Sequence, residues 1–163
     1  MNELRPILDP CCGSRKFYFD KESQLVLFGD IRQETITQYD GRVLSIAPDM
    51  KVDFRALPFM DESFSLVIFD PPHLVDAGKS SILGQSYGVL DRQTWKRDLK
   101  MGFEECWRVL KENGTLIFKW SEKDIPLATV LRLFSQRPLL GNRRPSTNGF
   151  WLLFFKAASL GEQ

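Results

Sequence analysis

The stretch Ser65 to Leu74, SLVIFDPPHL, constrains this chain more than any other. Leu66 to Phe69 form an unbroken apolar run of the kind that lies in a sheet covered on both faces. The run ends at once in Asp70, Pro71, Pro72 and His73. The two prolines have fixed φ angles and no N–H to donate, so the backbone leaves the sheet there as a rigid extended segment, with Asp70 at the strand's carboxyl end. Open parallel sheets bind ligands along that edge, which makes Asp70 and His73 the first candidates for chemistry.

Two earlier segments end in the same way. Ile7 and Leu8 run into Asp9, after which Pro10, Cys11, Cys12, Gly13 and Ser14 form a turn, and the basic, aromatic segment Arg15 to Phe19 reads as one or two turns of helix. The competing reading of that turn is a plain Asx-type turn at a sheet edge. Leu25 to Phe28 form a second buried strand, closed by Gly29 and Asp30. Further on, Val52 and Phe54 alternate with Asp53 and Arg55, which suits a strand whose last acid points out of the core. Leu57 to Phe59 then make an apolar corner before the Asp61–Glu62 turn. Arg42 to Ala47 is a brief strand or a loop, and Glu34 to Tyr39 is polar and short.

From Val75 to Gln93 the chain carries three glycines and no sustained period. A structureless stretch of roughly 19 residues is unusual in a compact domain unless it serves as a lid or binding loop, the use its place after His73 favours over an inert surface excursion. Thr94 to Leu110 gives the strongest helical signal, with Trp95, Leu99, Phe103, Cys106, Trp107 and Leu110 at intervals near three and four and Thr94 as a cap. Gly102 weakens or splits that helix, and Lys111 to Gly114 end it in a turn. Thr115 to Phe118 is then a strand, which makes a β–α–β crossover joining it in parallel to the Ser65 strand. Lys119 and Trp120 follow at that strand's carboxyl end, where they either line the same cleft or are a solvent lysine and a core tryptophan. Ile125 to Phe134 is a second crossover helix, Leu139–Leu140 a short strand, and Phe150 to Phe155 an unbroken apolar strand with an antiparallel partner at one edge. Residues after Lys156 read as a frayed tail.

Bulk properties narrow the class. A chain of 163 residues suits one domain, 1–163, with a real core. With 43% hydrophobic and 26% charged residues it is globular rather than disordered, and a net charge of +1 neither demands nor excludes a nucleic-acid partner. No apolar run approaches the roughly 18 residues of a membrane span, and the start MNELRPILDP lacks a signal peptide's basic flank and apolar core, so no membrane partner and a cytoplasmic location are expected. Cys11, Cys12 and Cys106 are odd in number and lack paired CxxC spacing, which points to reduced thiols and to no metal site.

The order DPCCGS, LVLFGD, VDFRALPF, DESFSLVIFDPPH and RVLKENGTLIFKW resembles the class I S-adenosylmethionine-dependent methyltransferases over about Leu4 to Trp120. The DPPH segment is similar to the DPPY-type signature of amino-methyltransferases acting on adenine or cytosine in nucleic acids, and the chain looks like small phage and prophage methylase-like proteins. That resemblance implies an α/β, Rossmann-like fold: a three-layer sandwich about a mostly parallel sheet with an antiparallel C-terminal edge hairpin. It implies S-adenosylmethionine as cosubstrate, with Asp9, Pro10, Cys11, Cys12, Gly13 and Ser14 as the loop passing its methionine portion. Asp30 then matches the acid on the ribose hydroxyls, Asp53 and Phe54 the pair at its adenine, and Asp70, Pro71, Pro72 and His73 the catalytic tetrad.

The implied reaction is methyl transfer to an exocyclic amine, adenine in DNA being the leading acceptor. Alternatives are RNA, a small molecule or a protein as acceptor, or a non-catalytic binding module of the same fold. The 163 residues are expected to leave no room for a separate recognition domain beyond the Val75–Gln93 and Gln136–Asn148 loops, which points to poor selectivity, a specificity partner protein, or RNA or a modified nucleotide as acceptor. His73, planar and titrating near pH 6.5, either stacks on the acceptor ring or is structural. Arg92, Lys96, Arg97, Arg137, Arg143 and Arg144 form a candidate phosphate-contacting rim, or a solvated surface.

Overall fold

The computed structural model describes residues 5–78, 80–142 and 149–158. Seven strands form one sheet: β1 (Ile7–Asp9), β2 (Val26–Asp30), β5 (Met50–Lys51), β6 (Phe64–Phe69), β7 (Leu110–Ser121), β8 (Leu140–Gly141) and β9 (Gly149–Phe155). Their order is β5-β2-β1-β6-β7-β9-β8. Pairings from β5 to β7 are parallel, and β9 pairs antiparallel with both β7 and β8. This mostly parallel sheet with an antiparallel edge hairpin is the Rossmann-like class I methyltransferase arrangement that the resemblance implies. Its carboxyl edge carries Asp9, Asp30 and Asp70 side by side, because β1 lies between β2 and β6.

One face is covered by α2 (Trp95–Val109) and the short α3 (Leu127–Leu131). Leu99, Phe103, Cys106 and Val109 of α2 meet Leu116, Phe118 and Trp120 of β7 and Phe154 of β9 in the main core. Phe103 stacks on Phe134 at 4.1 Å and sets its edge to Phe154 at 5.1 Å. Each wholly buried phenylalanine of this layer contributes about 1.5–3 kcal/mol of burial. Gly102 does not split α2. It sits where the helix crosses closest, since a Cβ there would stand 2.4 Å from Phe54 and 2.8 Å from Phe69.

The opposite face is covered by irregular chain, not helix. Tyr18 and Cys12 close over Val26 and Phe28, with the Tyr18 and Phe28 rings 4.8 Å apart, and Phe17 reaches the Trp151 edge at 5.3 Å. The helix expected over Arg15 to Phe19 does not form. Arg15 takes φ 54, outside the helical region, and its guanidinium donates to the carbonyls of Lys21 and Ala47, so tertiary bonds replace the helical ladder.

The link from β2 to its parallel neighbour β5 is a hairpin, β3 (Glu34–Thr37) with β4 (Val43–Ile46), where a helix is the usual crossover. The strand expected around Val52 and Phe54 is shifted to Met50–Lys51. Val75 to Gln93 is not structureless, because α1 (Ile82–Tyr87) lies within it, capped by the Ser81 hydroxyl, which accepts from the Gly84 N–H. Thr94 does not cap α2 with its side chain; its hydroxyl donates to Asp98 at 2.6 Å. The turn expected at Lys111 to Gly114 is taken up into β7, with Asn113 at φ 58. The last carbonyls of α2 find a partner in Lys156, whose ammonium donates to Trp107 and Leu110 at 3.1 and 2.6 Å. The second crossover helix is shorter than the Ile125 to Phe134 expected.

Candidate active site

Three carboxylates crowd the carboxyl edge, and each is handled differently. Asp9 is fully buried; the Tyr18 hydroxyl donates to it at 2.7 Å and the Cys11 N–H at 3.1 Å. Burial outweighs those two bonds and, with Asp70 and Asp30 nearby, pushes its carboxyl up to about 7. Asp30 accepts from the N–H groups of Gly13 and Arg32, both at 2.9 Å, and from Arg32 Nε at 3.3 Å. Those bonds fasten the glycine loop to the end of β2.

Asp70 is met by Lys119, whose Nζ lies 3.2 and 3.1 Å from its two oxygens. β6 and β7 place the pair: Phe69 is opposite Phe118 in the parallel register, so the next residue on each strand shares the face away from α2. Burial raises Asp70 and Lys119 opposes the rise. Lys119 thus lines the cleft, while Trp120, its neighbour, is in the core and donates its indole N–H to the Ile125 carbonyl at 3.0 Å. The lysine is steadied by the rings of Phe17 and Trp151, 5.6 and 5.8 Å from Nζ.

His73 is 8% exposed, with Tyr87 at 5.3 Å on one side and Trp120 at 6.2 Å on the other. Burial, with Lys119 adding to it, depresses the imidazole to about 4. The charge change expected near pH 6.5 is therefore displaced, and the ring is neutral at neutral pH.

Cys11 to Ser14, Asp70, Pro71 and His73 line one cleft of about 250 Å³, together with Lys16, Arg32, Tyr87 and Lys119. Behind it, Pro10, Cys11, Asp30, Phe54, Asp70 and Pro72 share a hollow of about 50 Å³, narrowed by Arg32 and Tyr87. The structure therefore gathers the glycine loop, Asp30, Phe54 and the DPPH segment. Asp53 stands apart: its carboxylate is engaged by Arg55 at 2.6 to 3.1 Å and lines neither space. The side chains of Arg92, Lys96, Arg97 and Arg137 line neither space either, and Arg143 and Arg144 lie outside the described residues. Arg92 instead pairs with Asp76, and Arg97 with Asp98. Lys16, Arg32 and Tyr87 were not singled out from the sequence, and the only cue was the basic, aromatic character of the segment that holds Lys16.

The residues suit S-adenosylmethionine in kind. Gly13 has φ +50, and the nearest atoms to where a Cβ would stand, on Arg32 and Ser86, are 4.0 Å off, which leaves a cradle beside the loop. Asp30 offers a carboxylate for a diol, and Phe54 with Ile31 an apolar wall. The hollow is far below the roughly 300 Å³ at which ligand pockets begin, because Arg32 spans it, its Nη1 donating to the Gln85 carbonyl at 2.8 Å. The same guanidinium is also held by Asp30 through Nε at 3.3 Å, so both bonds must open before it can swing out of the hollow.

Comparison with known proteins finds likeness in fold alone. The chain is similar to the PH0226 protein from Pyrococcus horikoshii OT3, with 16% identity, a TM-score of 0.50, and coverage of 93% of this chain and 81% of that one. A SAM-dependent methyltransferase from Methanosarcina mazei is looser, with 14% identity, a TM-score of 0.47, and coverage of 96% and 95%. No protein-family pattern matches the chain. No curated protein matches it in sequence.

Proposed function

We propose that this chain is an S-adenosylmethionine-dependent methyltransferase whose acceptor is the exocyclic amine of a nucleobase, with adenine in DNA as the first acceptor to test. One observation carries the reading: Asp70 and Pro71 line the same cleft as the glycine loop Cys11 to Ser14, at the carboxyl edge of a parallel sheet. When bound, S-adenosylmethionine supplies an electrophilic methyl on a sulfonium. Asp30, the Gly13 cradle and Phe54 are the groups that would hold it.

The chain's own task is alignment and charge. An exocyclic amine is a poor nucleophile because its lone pair is delocalised into the ring. Asp70 accepting one N–H and the Pro71 carbonyl accepting the other would draw that lone pair out of the ring plane and stabilise the positive charge that develops on nitrogen. Proline suits the second task because its carbonyl is held rigidly and it brings no competing donor. Lys119 opposes the rise that burial imposes on the Asp70 carboxyl, and so favours the ionised form an acceptor needs. His73, neutral and flanked by Tyr87, contributes a flat wall rather than a charge. Asp70 and His73 line a cleft rather than an open face, so the acceptor base would have to be unpaired or turned out of a duplex to meet them.

The test is Asp70→Asn, which keeps the shape and removes the charge. Methyl transfer from labelled donor to DNA and RNA should fall by roughly 10²-fold or more, with donor binding by calorimetry nearly unchanged. Equal loss of binding and turnover would assign Asp70 a structural role and end the reading.

A further inference from the structure

The hairpin that replaces a crossover helix creates a second cleft. It is about 590 Å³ in volume and lies between β4, α1 and the glycine loop. Three cations line it, Lys16, Lys21 and Arg42, and no acidic residue does. This cleft is continuous with the first, because Ser14, Lys16, Ser86 and Tyr87 line both. Its walls are fixed: the buried Gln38 of the hairpin turn donates to Ser86 Oγ at 3.3 Å and to the Ile82 carbonyl at 3.4 Å, tying the hairpin to α1.

The charges there are poorly balanced. Asp40 takes one side of the Arg42 guanidinium at 2.6 Å, and the Arg42 side chain as a whole is 69% exposed. The Lys16 ammonium lies over the Tyr87 ring at 4.7 Å. Burial lowers its affinity for a proton, and the nearby charges of Arg42 and Lys119 lower it further, with no acid contributing in the other direction. A chain with net charge +1 thus concentrates like charges along one path that leads to Asp70. Tyr39, in the turn of the hairpin three residues before Arg42, is 86% exposed, a flat ring at the hairpin's tip with no packing role.

From this geometry we infer that the second cleft is the track for a single-stranded sugar–phosphate chain, with Lys16, Lys21 and Arg42 on its phosphates and the acceptor base passing Tyr87 into the first cleft. The inference rests on the proposed methyltransferase reading and adds to it the form of the substrate. A run of phosphates answers three cations spread along a groove, where a lone nucleotide would engage one or two. A strand without a pairing partner is also the form that delivers a base into a cleft with no cost of opening a duplex.

The experiment measures strand binding without any methyl donor. Fluorescence anisotropy is read with labelled 12-nucleotide DNA and RNA single strands, with deoxyadenosine monophosphate as competitor, from about 50 to 200 mM salt. Counterion release predicts that the triple variant Lys16→Ala, Lys21→Ala, Arg42→Ala binds about fiftyfold more weakly near 0.15 M salt, and that its salt slope is smaller by about 2. A control variant, Arg92→Ala, Lys96→Ala, Arg97→Ala, removes the same charge outside the cleft and should bind as the parent does. Thermal melts of both variants separate loss of fold from loss of contact; should the cleft variant fail to fold, Lys21→Ala alone carries the test, with an expected slope change of about 0.7. Equal weakening by the two triple variants, or competition by the mononucleotide as effective as unlabelled strand, overturns the inference. Preference between the DNA and RNA arms identifies which strand the groove takes. Strand binding through this cleft with no methyl transferred would refute the proposed activity and leave the groove standing, whereas transfer to free nucleoside with no strand binding would do the opposite.

Discussion

Replacing Lys119 with methionine isolates the charge that faces Asp70. Nζ stands 3.1 Å from the nearer oxygen, and the two side chains are 26% and 16% exposed. At an effective dielectric of about 20, Coulomb's law gives about 5 kcal/mol for that separation, and the partial exposure with salt screening reduces the usable part to about 2–3 kcal/mol. Loss of that charge therefore raises the Asp70 carboxyl further, on top of the rise burial already imposes. A carboxyl raised on folding binds its proton more tightly in the native state, so stability falls as pH climbs from the unfolded value near 4 through the folded one.

Lys119→Met extends that fall to higher pH. Its deficit against the parent should therefore be near zero at pH 4, apart from a constant offset for the changed packing, and about 2–3 kcal/mol at pH 8. His73 reinforces the trend, since Lys119 helps to depress its imidazole and removal of that charge favours the variant only at low pH. Urea unfolding at the two pH values measures the difference. A deficit of equal size at pH 4 and pH 8 would show that Lys119 acts by packing alone and that it does not hold Asp70 ionised.

Two further outcomes test the surroundings. Gly102→Ala should destabilise by about 1–3 kcal/mol in thermal or urea melts, because its Cβ would press on Phe54 and Phe69 at 2.4 and 2.8 Å; an unchanged midpoint would mean that α2 does not pack as closely as described. Tyr18→Phe removes the strongest bond favouring ionised Asp9, so the carboxyl should titrate above its present value of about 7 and the loss of about 1–2 kcal/mol should be larger at pH 8 than at pH 5. A loss independent of pH would show that the hydroxyl does not serve Asp9.

The elements legible in the sequence are those whose side chains face the main core. β6, β9 and α2 bury apolar residues at the period of their own geometry, so Leu66 to Phe69, Phe150 to Phe155 and Trp95 to Val109 stand out. The carboxyl-edge acids were legible for the related reason that Asp9, Asp30 and Asp70 each follow such a run. What stayed hidden is held by long-range polar contacts. Arg15 bonds to residues 6 and 32 positions away, which no local pattern announces. The strands of the β3–β4 hairpin are largely exposed and carry little apolar signal, and α1, six residues long, is too short for a period. Asp53 reads like its counterparts in sequence, yet Arg55 two residues on captures it. Lys119 was placed at the right edge, and only the register of β6 against β7 decides that it meets Asp70.

The β9 strand has a consequence for the order of assembly. Seven residues of β7, from Thr115 to Ser121, pair with it, and Lys156 just beyond closes the end of α2 across 46 to 49 positions of sequence. A nascent chain that has emerged only as far as Ser121 therefore carries its longest strand with one bare edge and its longest helix with unanswered carbonyls, a species prone to pair with its neighbours on the polysome. Completion of the sheet waits for the segment from residue 149 onward, which makes that segment the natural target for slowing or arresting maturation.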